Sequence, residues 1–301
     1  MNCNSTISNL DSKLLKICFG VSFVTLAIAG SITNAIVLVT QRKFKVLHTV
    51  TNQILAHLAI TDFLLAVLVP PLFLLQLFFE SLETNCKVET LRRFLTSFLI
   101  GVSGGIIAII SYDRYLHLKR LCNYKLTKKK LRYLSSFCLV LSFTISSLRF
   151  AKESQKIYST AVLLFLLFVF ISIIFCYSLI GWALYQHSKI TKLNLNYENK
   201  TVHRRACKTA ILIVTSFSVT IIPLAWFQIQ TLSEHKKNKD LALGYTLGIL
   251  MVLFNTVINP IIYYYRTPKL RQCLKQTLHL KDGKSKQKMS NTSFQYNTTQ
   301  V

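Results

Sequence analysis

An acid and a base stand side by side where an apolar run ends. The run "AIISYDRYLHLKR" stops at Asp113-Arg114-Tyr115, and a basic stretch follows. Other polar groups lie deeper in apolar sequence. Asp62 sits in "HLAITDFLLA", Asn34 in "GSITNAIVL", and Asn255 and Asn259 in "LFNTVINPIIYYY", with Ser103 in a third run. Small polar residues in such runs can serve as hydrogen bonds between helices. Asp62 asks for more, because a carboxylate in hydrocarbon needs a partner, a proton or a cation. Covalent catalysis is not indicated. The chain has no phosphate-cradling Gly loop, no HExxH and no nucleophile elbow. His57 and His117 have no partners at metal-ligand spacing, and no CxxC pair occurs. We expect no enzyme.

These residues must be held by membrane-spanning helices. The chain has 301 residues, 51% hydrophobic and 16% charged, where a soluble domain carries about 25% charged. The apolar residues fall into seven blocks, at 17–40, 50–78, 93–117, 133–150, 158–185, 209–232 and 241–265. Crossing a bilayer takes about 20 apolar residues. The fourth block, "YLSSFCLVLSFTISSLRF", is short and serine-rich, but the loop charges require an odd number of spans. The N-terminus with the second, fourth and sixth loops holds 11 Lys/Arg, counting Arg93 and Arg149 at the span edges, and 7 Asp/Glu. The other loops and the tail hold 24 Lys/Arg and 2 Asp/Glu. The positive-inside rule therefore puts the N-terminus outside and the tail in the cytosol. The net charge of +25 serves the anionic inner leaflet, and no nucleic-acid partner is needed. The polar N-terminus lacks a basic start, so the first span anchors itself.

The expected organisation is an all-α seven-transmembrane bundle. It comprises an extracellular N-terminus (1–16), a transmembrane domain (17–265), an amphipathic juxtamembrane helix (266–280) and a disordered cytosolic tail (281–301). Asn4 is an outer glycosylation acceptor; the triplets at Asn199, Asn291 and Asn297 fall on the cytosolic side. Pro70, Pro71, Pro223 and Pro260 lie within spans, where each removes a helix hydrogen bond and can kink the chain. In "KLRQCLKQTLHL", Leu270, Leu274 and Leu278 form an interfacial stripe. Cys273 lies beside it as a candidate for palmitoylation or an unmodified thiol.

With these motifs in order, the chain resembles the rhodopsin-like (class A) G-protein-coupled receptors from about residue 20 to 280. The likeness rests on Asn34, "LAITD" ending at Asp62, "DRY" at 113–115, Tyr177, Phe217 and Pro223 in span 6, and "NPIIY" at 259–263. It implies a plasma-membrane receptor that couples an outside ligand to a heterotrimeric G protein by outward movement of span 6. Asp113, Arg114, Tyr115, Tyr177, Asn259, Pro260 and Tyr263 would form the switch, and Phe217 and Pro223 the span 6 hinge. Asp62, Ser103, Asn255 and Asn259 would hold an allosteric Na⁺. No other metal or cofactor is expected.

The departures are informative. Ile221 stands where the family has a span 6 Trp; span 4 lacks its Trp and span 5 its Pro, Val169 standing near that place. The loop "RFAKESQK" has no Cys, so the usual bridge to the top of span 3 is not expected, and the pairing of Cys3 with Cys86 stays open. A looser likeness to the melanocortin receptors lacks their acidic ligand cluster: Leu72 and Arg93 occupy two of its places and only Glu89 remains. Thr96 replaces the amine-receptor Asp, and Leu253 replaces the opsin Lys. The candidate ligand pocket is Thr96, Ser97, Tyr158, Trp226, Gln228 and Tyr245, suited to a lipid, a peptide or a neutral small molecule. The tail hydroxyls (Ser285, Ser290, Thr292, Ser293, Thr298, Thr299) would attract arrestin once phosphorylated. Thr299-Gln300-Val301 resembles a PDZ-domain ligand. The alternatives are a receptor-like binder without G-protein coupling and a secondary transporter, the latter lacking matched internal repeats.

Overall fold

The computed structural model describes residues 13–79, 85–118, 126–150, 155–190, 197–233 and 239–278. Eight α-helices run through them: α1 (Lys13–Lys43), α2 (Val50–Phe78), α3 (Cys86–Leu118), α4 (Lys128–Ser147), α5 (Gln155–Ile190), α6 (Tyr197–Ser233), α7 (Lys239–Arg266) and α8 (Pro268–Thr277). Seven of them, α1 to α7, are long and apolar enough to cross a membrane. We call the end of the bundle where α1 and α3 begin the upper end and the opposite one the lower end. Asn4, the tail hydroxyls and Thr299–Val301 lie outside the described residues, as do residues 151–154 between α4 and α5.

The bundle is apolar on its rim and polar in its middle. Val21, Ile28, Phe137, Val140, Leu164, Phe168 and Phe175 are exposed, while Asn34, Asp62, Ser103, Asn255 and Asn259 are buried. In water this would leave a large unpartnered apolar surface; in a bilayer the rim meets lipid and the polar groups meet one another.

This inversion accounts for the serine-rich fourth span. Phe137, Val140 and Phe143 of α4 point outward, and Ser142 and Ser146 point inward and are buried. Ser97 Oγ donates to Ser146 Oγ at 3.0 Å, and Ser135 Oγ is 3.0 Å from His57 Nδ1 on α2. On α3, Gly101 and Gly105 let the two backbones close. A Cβ on Gly101 would lie 3.0 Å from Ser142 Oγ, and one on Gly105 2.8 Å from Cys138 Sγ. Association of helices in lipid depends on this kind of close contact, since lipid is as apolar as leucine. The helix starts at Lys128, capped by the Thr127 side chain, which accepts from the Lys130 N–H at 3.2 Å.

Several helices outrun their apolar blocks. α3 begins at Cys86, before the expected 93, because the charges of Glu89, Arg92 and Arg93 are neutralised inside the bundle (below). α8 is shorter than the expected 266–280. Pro268 starts it, a place where the missing N–H costs nothing, and it ends at Thr277. Leu270 and Leu274 are buried, but Leu278 is past the helix end and exposed. Thr40 Oγ1 donates to Thr277 Oγ1 at 3.1 Å and ties α8 to α1.

Candidate functional site

The lower end carries the expected switch residues. α3 delivers Asp113 fully buried, with Arg114 beside it; Arg114 Nη2 is 3.4 Å from Asp113 Oδ2. Thr51, in the first turn of α2, donates its hydroxyl to the same Oδ2 at 3.1 Å. A buried ion pair is favourable only when further hydrogen bonds complete it, and Thr51 supplies one. The helix–helix arrangement thus holds Arg114 against α3. Tyr263 of α7 is wholly buried, and its hydroxyl finds no partner among the described residues. Tyr177 of α5 is half-buried.

Above the switch lies a polar column shared by α1, α2, α3 and α7. Asn259 Nδ2 donates to Asp62 Oδ2 at 2.8 Å, and Ser103 is a second hydrogen-bond partner of that carboxylate. Asn34 Nδ2 donates to the carbonyls of Gly30 and Thr256, both at 2.9 Å. The α1–α7 approach that allows this depends on Gly30, where a Cβ would lie 2.7 Å from Thr256 Oγ1. The Oδ1 atoms of Asn255 and Asn259 are buried acceptors with no donor among the described residues. A carboxylate and uncommitted amide oxygens form a hard, oxygen-only donor set, which fits a sodium-like cation. The structure thus brings Asp62, Ser103 and Asn259 together, with Asn255 one turn above Asn259. Among the described residues no His/Cys/Asp/Glu group could hold another metal.

In the middle of the bundle Phe217 and Ile221 of α6 are buried. Phe217 sits against Gly104, where a Cβ would lie 3.3 Å from its ring and 3.4 Å from Val169. Its ring is 6.3 Å from that of Phe170. Pro223 interrupts the α6 hydrogen bonds one turn higher.

At the upper end a cavity opens between α3, α4, α5, α6 and α7, with about 570 Å³ of empty space, part of it open to solvent. Thr96, Ser97, Tyr158, Gln228 and Tyr245, five of the six candidate pocket residues, line it. Trp226 does not. It is 57% exposed on the lipid-facing side of α6. The reason is helical phase: the inward residues are Ile221, Leu224, Ala225 and Gln228, and residue 226 falls on the opposite face.

Nor is the cavity neutral, because Arg93 lines it. Behind Arg93 lies a buried charged cluster that the sequence reading missed. Glu89 accepts from Arg92 Nη2 at 2.6 Å and Arg92 Nε at 3.2 Å, and its other oxygen accepts from Arg93 Nε. Arg92 Nε also donates to Gln76 Oε1 at 2.6 Å. The Arg92 guanidinium lies 4.2 Å above the Phe73 ring, which stacks in turn on Phe23 at 4.8 Å. The missed signal was spacing: Glu89, Arg92 and Arg93 are at i, i+3 and i+4, so a helix extended back through them puts all three on one face.

Two cysteines complete the account. Cys86, at the start of α3, is disulfide-bonded. Cys18, Cys138, Cys176 and Cys273 are free, so its partner lies outside the described residues. Cys273 is buried under α8, and burial pushes its thiol up. A thiol so placed faces the bundle, and acylation would require α8 to turn.

Seven apolar helices around a polar column, with an upper cavity and a lower ion pair, define a membrane receptor-type bundle. The family model "7 transmembrane receptor (rhodopsin family)" matches residues 33–159 and 149–263, and the chain belongs to that family. It is 24% identical over 285 residues to the human neuropeptide Y receptor type 2, covering 83% of this chain and 73% of that protein. It is also 24% identical over 281 residues to the tachykinin-like peptides receptor 86C of Drosophila melanogaster, covering 81% of this chain and 55% of that one. Its fold is that of squid rhodopsin, with a TM-score of 0.78 at 19% identity over 92% of this chain and 89% of that one. The protein is a multi-pass plasma-membrane receptor and not an enzyme. These likenesses carry the family but not the melanocortin sub-family.

Proposed function

We propose that the chain transmits the binding of an extracellular ligand in the upper cavity to a heterotrimeric G protein at the lower end. The observation that carries the reading is the Asp113–Arg114–Thr51 cluster. It holds Arg114 against α3 at the lower edge of the bundle, where its release would expose it to a partner. Outward movement of α6 about Pro223, with Phe217 sliding past Gly104, would release Arg114 to the G protein. Tyr115, Tyr177, Pro260 and Tyr263 complete the switch, and the N-terminus lies outside, as the loop charges require. Asp62, Ser103, Asn255 and Asn259 would hold Na⁺, a charge that stabilises the resting column. The relatives named for neuropeptide Y and tachykinin-like peptides favour a peptide among the ligand classes. Glycosylation at Asn4, arrestin binding to the phosphorylated tail and PDZ binding through Thr299–Val301 belong to the same reading.

The test is guanine-nucleotide exchange on reconstituted vesicles. Wild type should accelerate exchange over receptor-free vesicles, and Arg114→Ala should not, at equal receptor density. Equal acceleration by both would remove Arg114 from the coupling; no acceleration by either over receptor-free vesicles would leave the second reading, a binder without coupling, for which Ile221 in place of the span 6 Trp is the favouring observation.

A further inference from the structure

The described side chains of the upper end do not balance in charge. Glu89 is a single carboxylate facing Arg92 and Arg93. Arg149, in the 3-10 turn Leu148–Phe150 that follows α4, lies 5.7 Å over the ring of Tyr158, and no described carboxylate pairs with it. The three arginines serve different ends. Arg92 is enclosed by Gln76, Glu89 and Phe73. Arg93 lines the cavity and gives only Nε to Glu89; its two terminal nitrogens have no acceptor among the described residues. The Nε of Arg149 is likewise buried without an acceptor. The two tyrosines fix the positions of these cations. Tyr158 donates its hydroxyl to the Arg93 carbonyl at 3.3 Å, and Tyr245 stands 5.9 Å from the Arg93 guanidinium. Guanidinium donors left unmet at a low-dielectric wall are costly unless an anion completes them. Below them the cavity turns apolar, through Ile100, Val162, Phe165 and Leu224.

We propose that this cavity takes a ligand with a carboxylate joined to an apolar body, the carboxylate held by Arg93 with Arg149 behind it, and the apolar part lying toward Phe165 and Leu224. The proposal rests on the upper cavity being the ligand site of the reading above, and it adds the chemistry of the ligand. An alkyl carboxylate and the free C-terminus of a peptide ending in an apolar residue share this chemistry. Arginine matches a carboxylate with two parallel N–H donors, which a neutral amide cannot replace.

The experiment uses the full chain in lipid nanodiscs and reads the thermal unfolding midpoint. The probes are decanoate, decanamide, and one decapeptide ending in leucine, as free acid and as C-terminal amide. An acid should raise the midpoint and its amide should not. Decanoate alone raising it identifies an alkyl acid; the free-acid peptide alone identifies a peptide terminus. In Arg149→Gln, a side chain with no ion pair among the described residues, the acid's apparent affinity should fall by about tenfold or more, the scale of a charge-assisted hydrogen bond. Arg93→Lys keeps the charge and the Glu89 contact but loses the fork, and should also weaken the acid. Equal shifts from acid and amide, no shift from either acid, or an unchanged acid response in Arg149→Gln would overturn the proposal. The last would show that Arg149 pairs with a loop carboxylate. Nucleotide exchange on the same preparations separates the two readings. Acid binding without exchange removes the coupling, and exchange without acid binding removes only the ligand class.

Discussion

The molecule buries charge in two places and handles it in opposite ways. At the lower end and in the column beneath the middle, each carboxylate is matched one to one, by a single arginine with a hydroxyl or by small neutral partners. Asp113 has Arg114 and Thr51; Asp62 has Asn259 and Ser103. At the upper end one carboxylate faces two arginines, with a third beside them. The first arrangement is nearly self-sufficient, so small changes in helix position can make or break it, as a switch requires. The second has surplus positive charge that only something from outside the described side chains can meet. The proposed transduction site is thus where the chain balances itself, and the proposed recognition site where it does not.

The largest expected effect is on the upper cluster. Arg92→Leu leaves Glu89 with one partner and Gln76 with none of its own. A broken buried pair costs about 3–5 kcal/mol, so thermal unfolding in nanodiscs should show the largest fall of any variant here. Replacing both Glu89 and Arg92 by leucine should cost less than Arg92→Leu alone; the reverse order would mean the cluster is not a unit.

A smaller effect is expected at the lower pair. Thr51→Val removes one hydrogen bond to Asp113, worth about 1.5 kcal/mol for a charged acceptor. If that bond belongs to the resting geometry, basal nucleotide exchange should rise by about tenfold. A fall in exchange would place the bond in the active state. Smaller again is the response of the column to sodium. Replacing sodium by N-methylglucamine should raise basal exchange in wild type but not in Asp62→Asn, because a ligand that prefers the resting state shifts the population toward it. The same response in both variants would count against the column as a cation site. The smallest effect belongs to Trp226→Ala. The ring faces lipid, so decanoate affinity should stay unchanged; a tenfold loss would return Trp226 to the cavity.

How much of this was legible follows from the solvent. Hydrocarbon tolerates few polar groups, so seven apolar blocks marked seven helices, and the isolated Asp62, Asn34, Asn255 and Asn259 marked the column. Asp113 and Arg114 were visible because an acid beside a base at a membrane edge has little other use. The upper cluster was missed because Glu89, Arg92 and Arg93 lie where a span meets a loop, and charges there read as solvated. Trp226 was misplaced because residue type outweighed phase, although Leu224 and Gln228 one turn apart excluded it from their face. The serines of α4 looked like a defect in a span, yet Ser142 and Ser146 are its inward side, Ser142 packed on Gly101 and Ser146 bonded to Ser97.

Transduction by α6 is the central claim, and its movement can be measured directly. Spin labels at residue 112 of α3 and residue 212 of α6, where Tyr112 and Leu212 are exposed on the lower side of the bundle, report the gap proposed to admit a G protein. The labels are attached through Tyr112→Cys and Leu212→Cys, and Cys18, Cys122, Cys138, Cys176, Cys207 and Cys273 are replaced by Ser so that the labels are unique. On addition of nucleotide-free G protein, pulsed electron–electron resonance should show the distance lengthening in the wild-type background and not in Arg114→Ala. An unchanged distance in the wild-type background, with G protein bound, would contradict the account.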